Sequence, residues 1–161
     1  MNSKNSMEKP LGSALLAAVA SVVGVAFIGG CLYGLWLGRG PADAPLGVHS
    51  NTGPSIADLL PFGGITALIA FPSAAVLSLV VGAPLFRLWL RRGYSGVAAY
   101  VAGGLIVAMV GAVIIGAAHL FAGFQIETHF WFIMLLIAVS GLTAGFVVWY
   151  VLWRSQVASS S

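Results

Sequence analysis

Charged residues are scarce in this sequence, with seven Lys and Arg and four Asp and Glu making up 7% of 161 residues. Soluble domains carry about a quarter charged residues, so the chain has too few charges to cover a surface that faces water. Hydrophobic residues account for 60% of the chain. In lipid the exterior is apolar and every backbone N–H and C=O group must be bonded internally, which helices achieve. We therefore predict an all-α membrane protein.

Cysteine is nearly absent as well. The single thiol, Cys31, excludes an intramolecular disulfide and a metal site built from cysteines alone.

The few basic residues lie at the ends of apolar stretches, so we expect no nucleic-acid partner. No charged residue lies deep in an apolar stretch, which disfavours a proton relay. Glycine pairs occur inside apolar runs, without the strand and turn of a phosphate-binding loop.

Four apolar stretches exceed the ~20 residues that cross a bilayer. We predict transmembrane helices over residues 11–37, 62–88, 97–121 and 130–153. Together they form a four-helix bundle, and residues 1–161 form a single membrane domain. The short later connections predict that consecutive helices are antiparallel neighbours. Residues 154–161 form a polar C-terminal tail.

The first two predicted helices are joined by a Gly- and Pro-rich loop over residues 39–60. Ser55 and Asp58 have the spacing of a helix-capping box, which predicts a short interfacial helix over residues 56–60. A different interpretation concerns the first helix, because Ile28-Gly29-Gly30-Cys31 is loosely similar to a bacterial lipoprotein cleavage box. The apolar run continues through Leu37, so an uncleaved helix is the preferred interpretation.

The basic residues predict the orientation of the helices. Those on one side are Lys4, Lys9, Arg87, Arg91, Arg92 and Arg154. The opposite, outer side has only Arg39, together with three of the four acidic residues, namely Asp43, Asp58 and Glu127. The positive-inside rule then places both termini in the cytoplasm. The composition, rich in Ala, Gly and Val, favours a bacterial inner membrane.

Small residues recur four positions apart in the predicted helices. The glycines among them are Gly30, Gly34, Gly38, Gly104, Gly116, Gly141 and Gly145. Residues four apart lie on one helix face, and small residues there let two backbones approach closely. These faces predict packing within the bundle or an interface with a partner helix. The three glycines of the first helix favour a partner most.

Metal-binding residue types occur on the predicted outer side. His119 lies near the end of the third predicted helix, Glu127 in the following hairpin, and His129 just before the fourth helix. Imidazole and carboxylate groups bind zinc, copper and iron. Their spacing matches no dedicated motif, so we expect no cofactor and keep a metal or haem site as the alternative.

A basic and aromatic patch is predicted on the cytoplasmic side. Arg87, Arg91 and Arg92 occur there with Trp89 and Tyr94. Such residues determine topology and attract anionic lipid.

Three functions are compatible with these features. The preferred one is a non-enzymatic accessory or assembly subunit, or an immunity-type partner, which contacts other membrane subunits or a second copy of itself. The first alternative is an oligomeric transporter or channel whose second helix, interrupted by Pro72 and Pro84, lines the path. The second is a metal- or haem-dependent membrane enzyme that uses His119, Glu127 and His129.

Overall fold

The fold is helical throughout the part of the chain that the computed structural model describes, which comprises residues 3–38, 56–94, 96–121 and 128–160. The helices are α1 (Ser3–Gly38), α2 (Ile56–Leu77), α3 (Ala83–Arg91), α4 (Val97–Phe121) and α5 (Thr128–Ser160). A π-helical segment, Ser78–Gly82, joins α2 to α3. No strand occurs in these ranges, so the prediction of an all-α protein is confirmed for them.

Four helical segments are long and apolar enough to cross a membrane, as predicted. They are Pro10–Trp36, Ile56–Arg91, Val97–Ala118 and Phe130–Val157. The second runs from α2 through the π-helical segment to the end of α3. Large apolar side chains cover the outside of the bundle, including Leu68, which is 75% exposed. Such a surface suits hydrocarbon and not water, which indicates an integral membrane protein.

The helices do not pack in the order of the chain. α1 contacts α2 on one face and α5 on another, and α5 also packs against α4. α2 barely touches α4, with Leu77 lying against Gly111. The second and third spans are neighbours mainly at one end, where Phe86 and Trp89 of α3 lie against Tyr100 of α4. α2 packs against α1 instead, because glycines of those two helices allow the closer approach.

All four spans meet at one end of the bundle. The apolar core there consists of Leu11, Ala14, Ala18, Phe86, Tyr100, Val148 and Leu152. Arg87, Arg91, Arg92 and Arg154 lie within six residues of Phe86 or Leu152 in sequence, so we call this the arginine end and the opposite one the Asp58 end. The core joins the beginning of α1 to the last third of α5, and these two regions therefore lie at the same end.

The second span is continuous despite its prolines. α2 begins at Ile56 and runs through Pro61 and Pro72, so residues 56–60 belong to α2 and do not form a separate short helix. One proline removes one backbone donor, and the bonds on either side of it are kept.

The regular helix is interrupted only before Pro84, within the described part of this span. There the N–H group of Ala83 donates to the carbonyl oxygen of Ser78, five residues earlier. Pro84 has no N–H group to donate to the carbonyl four residues before it, which favours a wide π-helical turn at this point. The chain then continues directly into α3.

A glycine turn ends α3 and starts the connection to α4. Gly93 has a φ of 75°, in the left-handed region, and its N–H group donates to the carbonyl oxygen of Leu90 at 3.2 Å. The N–H group of Tyr94 donates to the carbonyl oxygen of Trp89 at 3.1 Å. These bonds satisfy carbonyl groups that the end of a helix leaves without partners.

Candidate functional site

Glycines of both helices form the α1–α2 contact near the Asp58 end. A Cβ atom at Gly30 would lie 2.6 Å from the carbonyl oxygen of Phe62 and 2.9 Å from the Cα atom of Gly63. A Cβ atom at Gly34 would lie 2.9 Å from the ring of Phe62. From the other side, a Cβ atom at Gly63 would lie 2.9 Å from the backbone oxygen of Phe27. The face that contains Gly30 and Gly34 is thus filled by α2 of the same chain.

Two polar side chains are satisfied within this contact. The Cys31 thiol donates to the carbonyl oxygen of Leu59 across the helix pair, at 3.6 Å between sulfur and oxygen. The Thr66 hydroxyl donates to the carbonyl oxygen of Phe62 in its own helix at 2.7 Å. Polar groups that are bonded in this way are tolerated at a buried helix interface.

The α4–α5 contact brings three of the predicted packing glycines together. A Cβ atom at Gly104 would overlap the carbonyl oxygen of Gly141 and lie 2.8 Å from the backbone nitrogen of Gly145. At Gly141 it would lie 2.7 Å from the carbonyl oxygen of Gly104. At Gly145 it would overlap the carbonyl oxygen of Tyr100 and lie 2.8 Å from the Cα atom of Val101. Backbone lies directly on backbone here, and no larger residue fits.

The remaining two predicted packing glycines are placed differently. Gly116 has ordinary space around it, since the ring of Phe130 lies 3.9 Å from where its Cβ atom would be. Gly38 is the last residue of α1, and its surroundings are not described.

One further face of α1, which the sequence prediction missed, is exposed. Leu16, Ala20, Gly24 and Ile28 follow one another four residues apart, and we call them the open α1 face. Leu16 is 74% and Ile28 61% exposed, and Ala20 and Gly24 are exposed too. Among the described residues, none lies within 4 Å of where a Cβ atom of Gly24 would be. The small-residue spacing was the available signal, although it gave no indication of which small residues are covered.

The candidate metal ligands fall mainly outside the described part of the structure. Glu127 lies outside the described residues. His119 belongs to α4 and His129 to α5, but neither side chain is described. Among the described residues there is no group of three His, Cys, Asp or Glu that could hold a metal ion. The site formed by His119, Glu127 and His129 therefore stays a prediction.

Arg87 and Arg91 line a groove on the outside of the second span at the arginine end. The groove has a volume of about 490 Å³ and is lined by Leu79, Ala83, Pro84, Arg87, Leu88 and Arg91. We call it the arginine groove. Arg92, the third residue of the predicted basic patch, caps α3 and lies beyond the groove lining. The groove combines two cationic side chains with an apolar floor.

A second, smaller cavity lies between α4 and α5 at the same end. Its volume is about 310 Å³, and its lining includes Tyr100, Trp149, Trp153 and Gln156. The rings of Trp149 and Trp153 stack with their centroids 5.9 Å apart. Amphipathic rings prefer the depth of lipid headgroups, so these tryptophans are suited to the boundary between hydrocarbon and water.

The described residues thus present three surfaces on which a function can be built, namely the glycine contacts, the open α1 face and the arginine groove. No protein-family model, curated protein or solved structure matches the chain. Its function has to be inferred from its own residues and their packing.

Proposed function

We propose that the chain is a non-enzymatic membrane protein that acts through helix–helix contacts, as an accessory or assembly subunit or an immunity-type partner of a larger complex. The observation that supports this most is the open α1 face. Lipid tails are as apolar as leucine, so burial of apolar area does not pair helices in a bilayer, whereas close approach at small residues does. Ala20 and Gly24 offer such an approach.

The composition of the open α1 face fits a partner helix. Leu16 and Ile28 are both exposed, and they lie one turn beyond Ala20 and Gly24 on either side. Large side chains at the ends and small ones in the middle form a shallow recess into which a ridge of a second helix can pack. The chain uses similar small residues for its own α1–α2 and α4–α5 contacts.

Gly24 itself needs an explanation. Glycine inside a helix costs about 1 kcal/mol relative to alanine. At Gly30 or Gly104 the close approach of a neighbouring backbone offsets that cost, but Gly24 has no described neighbour within 4 Å. Gly64 is open too, but only Gly24 has an exposed small residue, Ala20, four positions away, so the approach of a partner backbone there would explain the glycine.

Copurification from the native membrane in mild detergent tests this proposal. We expect the tagged chain to recover a stoichiometric membrane partner, and Gly24→Leu to reduce that recovery about tenfold, equivalent to ~1.4 kcal/mol. Gly64→Leu is the matched control, because Gly64 is exposed on α2 and likewise has no described residue within 4 Å of its Cβ position. A partner retained by Gly24→Leu, or no partner with the wild type, would contradict the proposal. A second copy as the recovered partner would identify self-association.

The orientation is part of the same proposal. We place the arginine end, and with it both termini, on the cytoplasmic side of a bacterial inner membrane, because the basic residues are concentrated at that end. Thiol labelling tests this placement in a Cys31→Ala background that carries Gly53→Cys or Ser95→Cys. An impermeant reagent should label only the first in intact cells. If the thiols at both positions are labelled from the same side of the membrane, the proposed orientation of the helices is wrong.

An oligomeric transporter or channel is the second candidate, and the π-helical segment favours it. Wide turns of this kind are frequent at functional sites, and this one contains the half-exposed Ser78. In an oligomer the second span would line the path. Solute flux into liposomes should then be detectable and should fall in Ser78→Trp, whereas flux that is unchanged by this variant would exclude the second span as the lining.

A further inference from the structure

We propose that the arginine groove binds one anionic phospholipid. The headgroup phosphate would lie between Arg87 and Arg91, and an acyl chain would follow Ala83 and then Leu79 toward the middle of the membrane. The inference does not depend on the proposed function, because it concerns the chain and the surrounding bilayer alone.

The rotation of α3 about its axis is fixed by its buried side. Phe86 is only 4% exposed and stacks on Tyr100 with ring centroids 5.7 Å apart. Trp89 packs against both rings, with centroid distances of 6.1 Å to Phe86 and 6.4 Å to Tyr100. Because this side of α3 is held in the core, Arg87 and Arg91 are exposed on the other side.

The two arginines are spaced to share one phosphate. They lie four residues apart and therefore ~6 Å apart along the helix axis. Like charges at this spacing repel each other, and a phosphate between them would replace that repulsion with two sets of charge-assisted hydrogen bonds. Their long side chains can reach the headgroup layer from slightly different depths.

The charge at this end complements an anionic ligand. The sequence places six Lys and Arg at the predicted cytoplasmic side, and Glu8 is the one acidic residue there. A Lys or Arg in direct reach of the anionic headgroup strengthens binding about fivefold, whereas more distant basic residues are screened and contribute less. A zwitterionic lipid carries no net charge and would gain little from this excess of positive charge.

The apolar floor distinguishes the groove from a merely basic surface. The apolar part of the lining runs from Leu79, inside the π-helical segment, to Ala83 and Pro84 directly after it. The groove has a volume of about 490 Å³ and is open along the outside of the second span. One face thus offers contacts to a charged headgroup and to an apolar chain.

Native mass spectrometry of the detergent-purified full chain tests the proposal. Phosphatidylglycerol and phosphatidylcholine with identical acyl chains are titrated in parallel, and we expect the anionic lipid to bind at least tenfold more tightly. Arg87→Gln/Arg91→Gln should weaken phosphatidylglycerol binding ~25-fold, since two charges are removed. Arg92→Gln/Arg154→Gln removes the same charge beyond the groove lining and should change the affinity less than threefold.

A third variant tests the apolar part of the groove without changing any charge. Ala83→Leu fills the floor beside the half-exposed Ala83 and should weaken phosphatidylglycerol binding at least fivefold, with an unchanged unfolding temperature as the check on folding. The proposal is overturned if the two double variants weaken binding equally, if Ala83→Leu has no effect, or if phosphatidylcholine binds as tightly as phosphatidylglycerol.

Discussion

The α4–α5 contact and the open α1 face contain the same types of residue but are covered differently. A Cβ atom at Gly104 would lie 2.8 Å from the backbone nitrogen of Gly145, whereas one at Gly24 has no described residue within 4 Å. Both glycines lie in long apolar helices, and both have a small residue four positions away. The comparison teaches that small-residue spacing predicts where a backbone can approach, but not whether a helix of the same chain does so.

The largest loss of stability is expected from Gly104→Leu in the α4–α5 contact. The new side chain would have to displace the backbone of Gly141 and Gly145, which cannot move as a flexible side chain can. We expect a loss of about 3 kcal/mol in the free energy of unfolding, the upper end of the usual cost of overpacking. Unfolding in mixed SDS and detergent micelles, followed by circular dichroism, measures this loss.

Gly64→Leu is the control for the α4–α5 prediction, because the added side chain enters open space on α2. Its free energy of unfolding should equal that of the wild type or exceed it by up to ~1 kcal/mol, because leucine is the better helix former. Equal losses in Gly104→Leu and Gly64→Leu would mean that the α4–α5 contact is not what makes Gly104 necessary.

An intermediate loss of stability is expected from Gly30→Ala in α1, and Gly24→Ala in the same helix is its matched control. At Gly30 the added methyl group would lie 2.6 Å from the carbonyl oxygen of Phe62, so we expect a loss of about 1–3 kcal/mol. At Gly24 the methyl group meets no described atom, and the better helix propensity of alanine should leave stability equal or raise it by up to ~1 kcal/mol. The same unfolding measurement applies, and a larger loss at Gly24 than at Gly30 would refute the assignment of the covered and open faces.

The four spans could be predicted from sequence because hydrocarbon requires long uninterrupted apolar helices, and each predicted span lies within an observed helical segment. Which helices pack against each other could not be predicted from the sequence. In water the buried face of a helix is marked by apolar residues on one side, but in lipid both sides are apolar. Gly24 and Gly30 therefore look alike in the sequence, although one is open and the other is covered.

The shape of the second span was only partly predictable. Pro72 and Pro84 predict two interruptions of the second span, yet α2 continues through Pro72 and only the turn before Pro84 departs from the α-helix. The arginine groove extends from this turn along the side of α3 opposite the buried Phe86, and the burial of Phe86 is a feature of packing. Sequence alone identified Arg87, Arg91 and Arg92 as one patch and did not show that only the first two line a groove.

The smallest loss of stability is expected from Cys31→Ala at the covered α1–α2 contact. The thiol donates one weak bond to the carbonyl oxygen of Leu59, at 3.6 Å, so its removal should cost less than about 1 kcal/mol. A double variant sharpens the prediction. The Cβ atom of Gly63→Ala would lie 2.6 Å from the Cys31 sulfur but also 2.9 Å from the Phe27 backbone oxygen.

Removal of the sulfur therefore relieves only one of three close contacts, since the Phe27 ring also lies 2.9 Å from this Cβ position. Gly63→Ala should stay destabilised by at least about 1 kcal/mol in the Cys31→Ala background, because the Phe27 backbone still opposes the added methyl group. A double-mutant cycle of unfolding free energies measures the coupling between the two sites. Full rescue by Cys31→Ala would mean that the sulfur alone sets the distance between α1 and α2, and that backbone contact between glycines is not what closes this face.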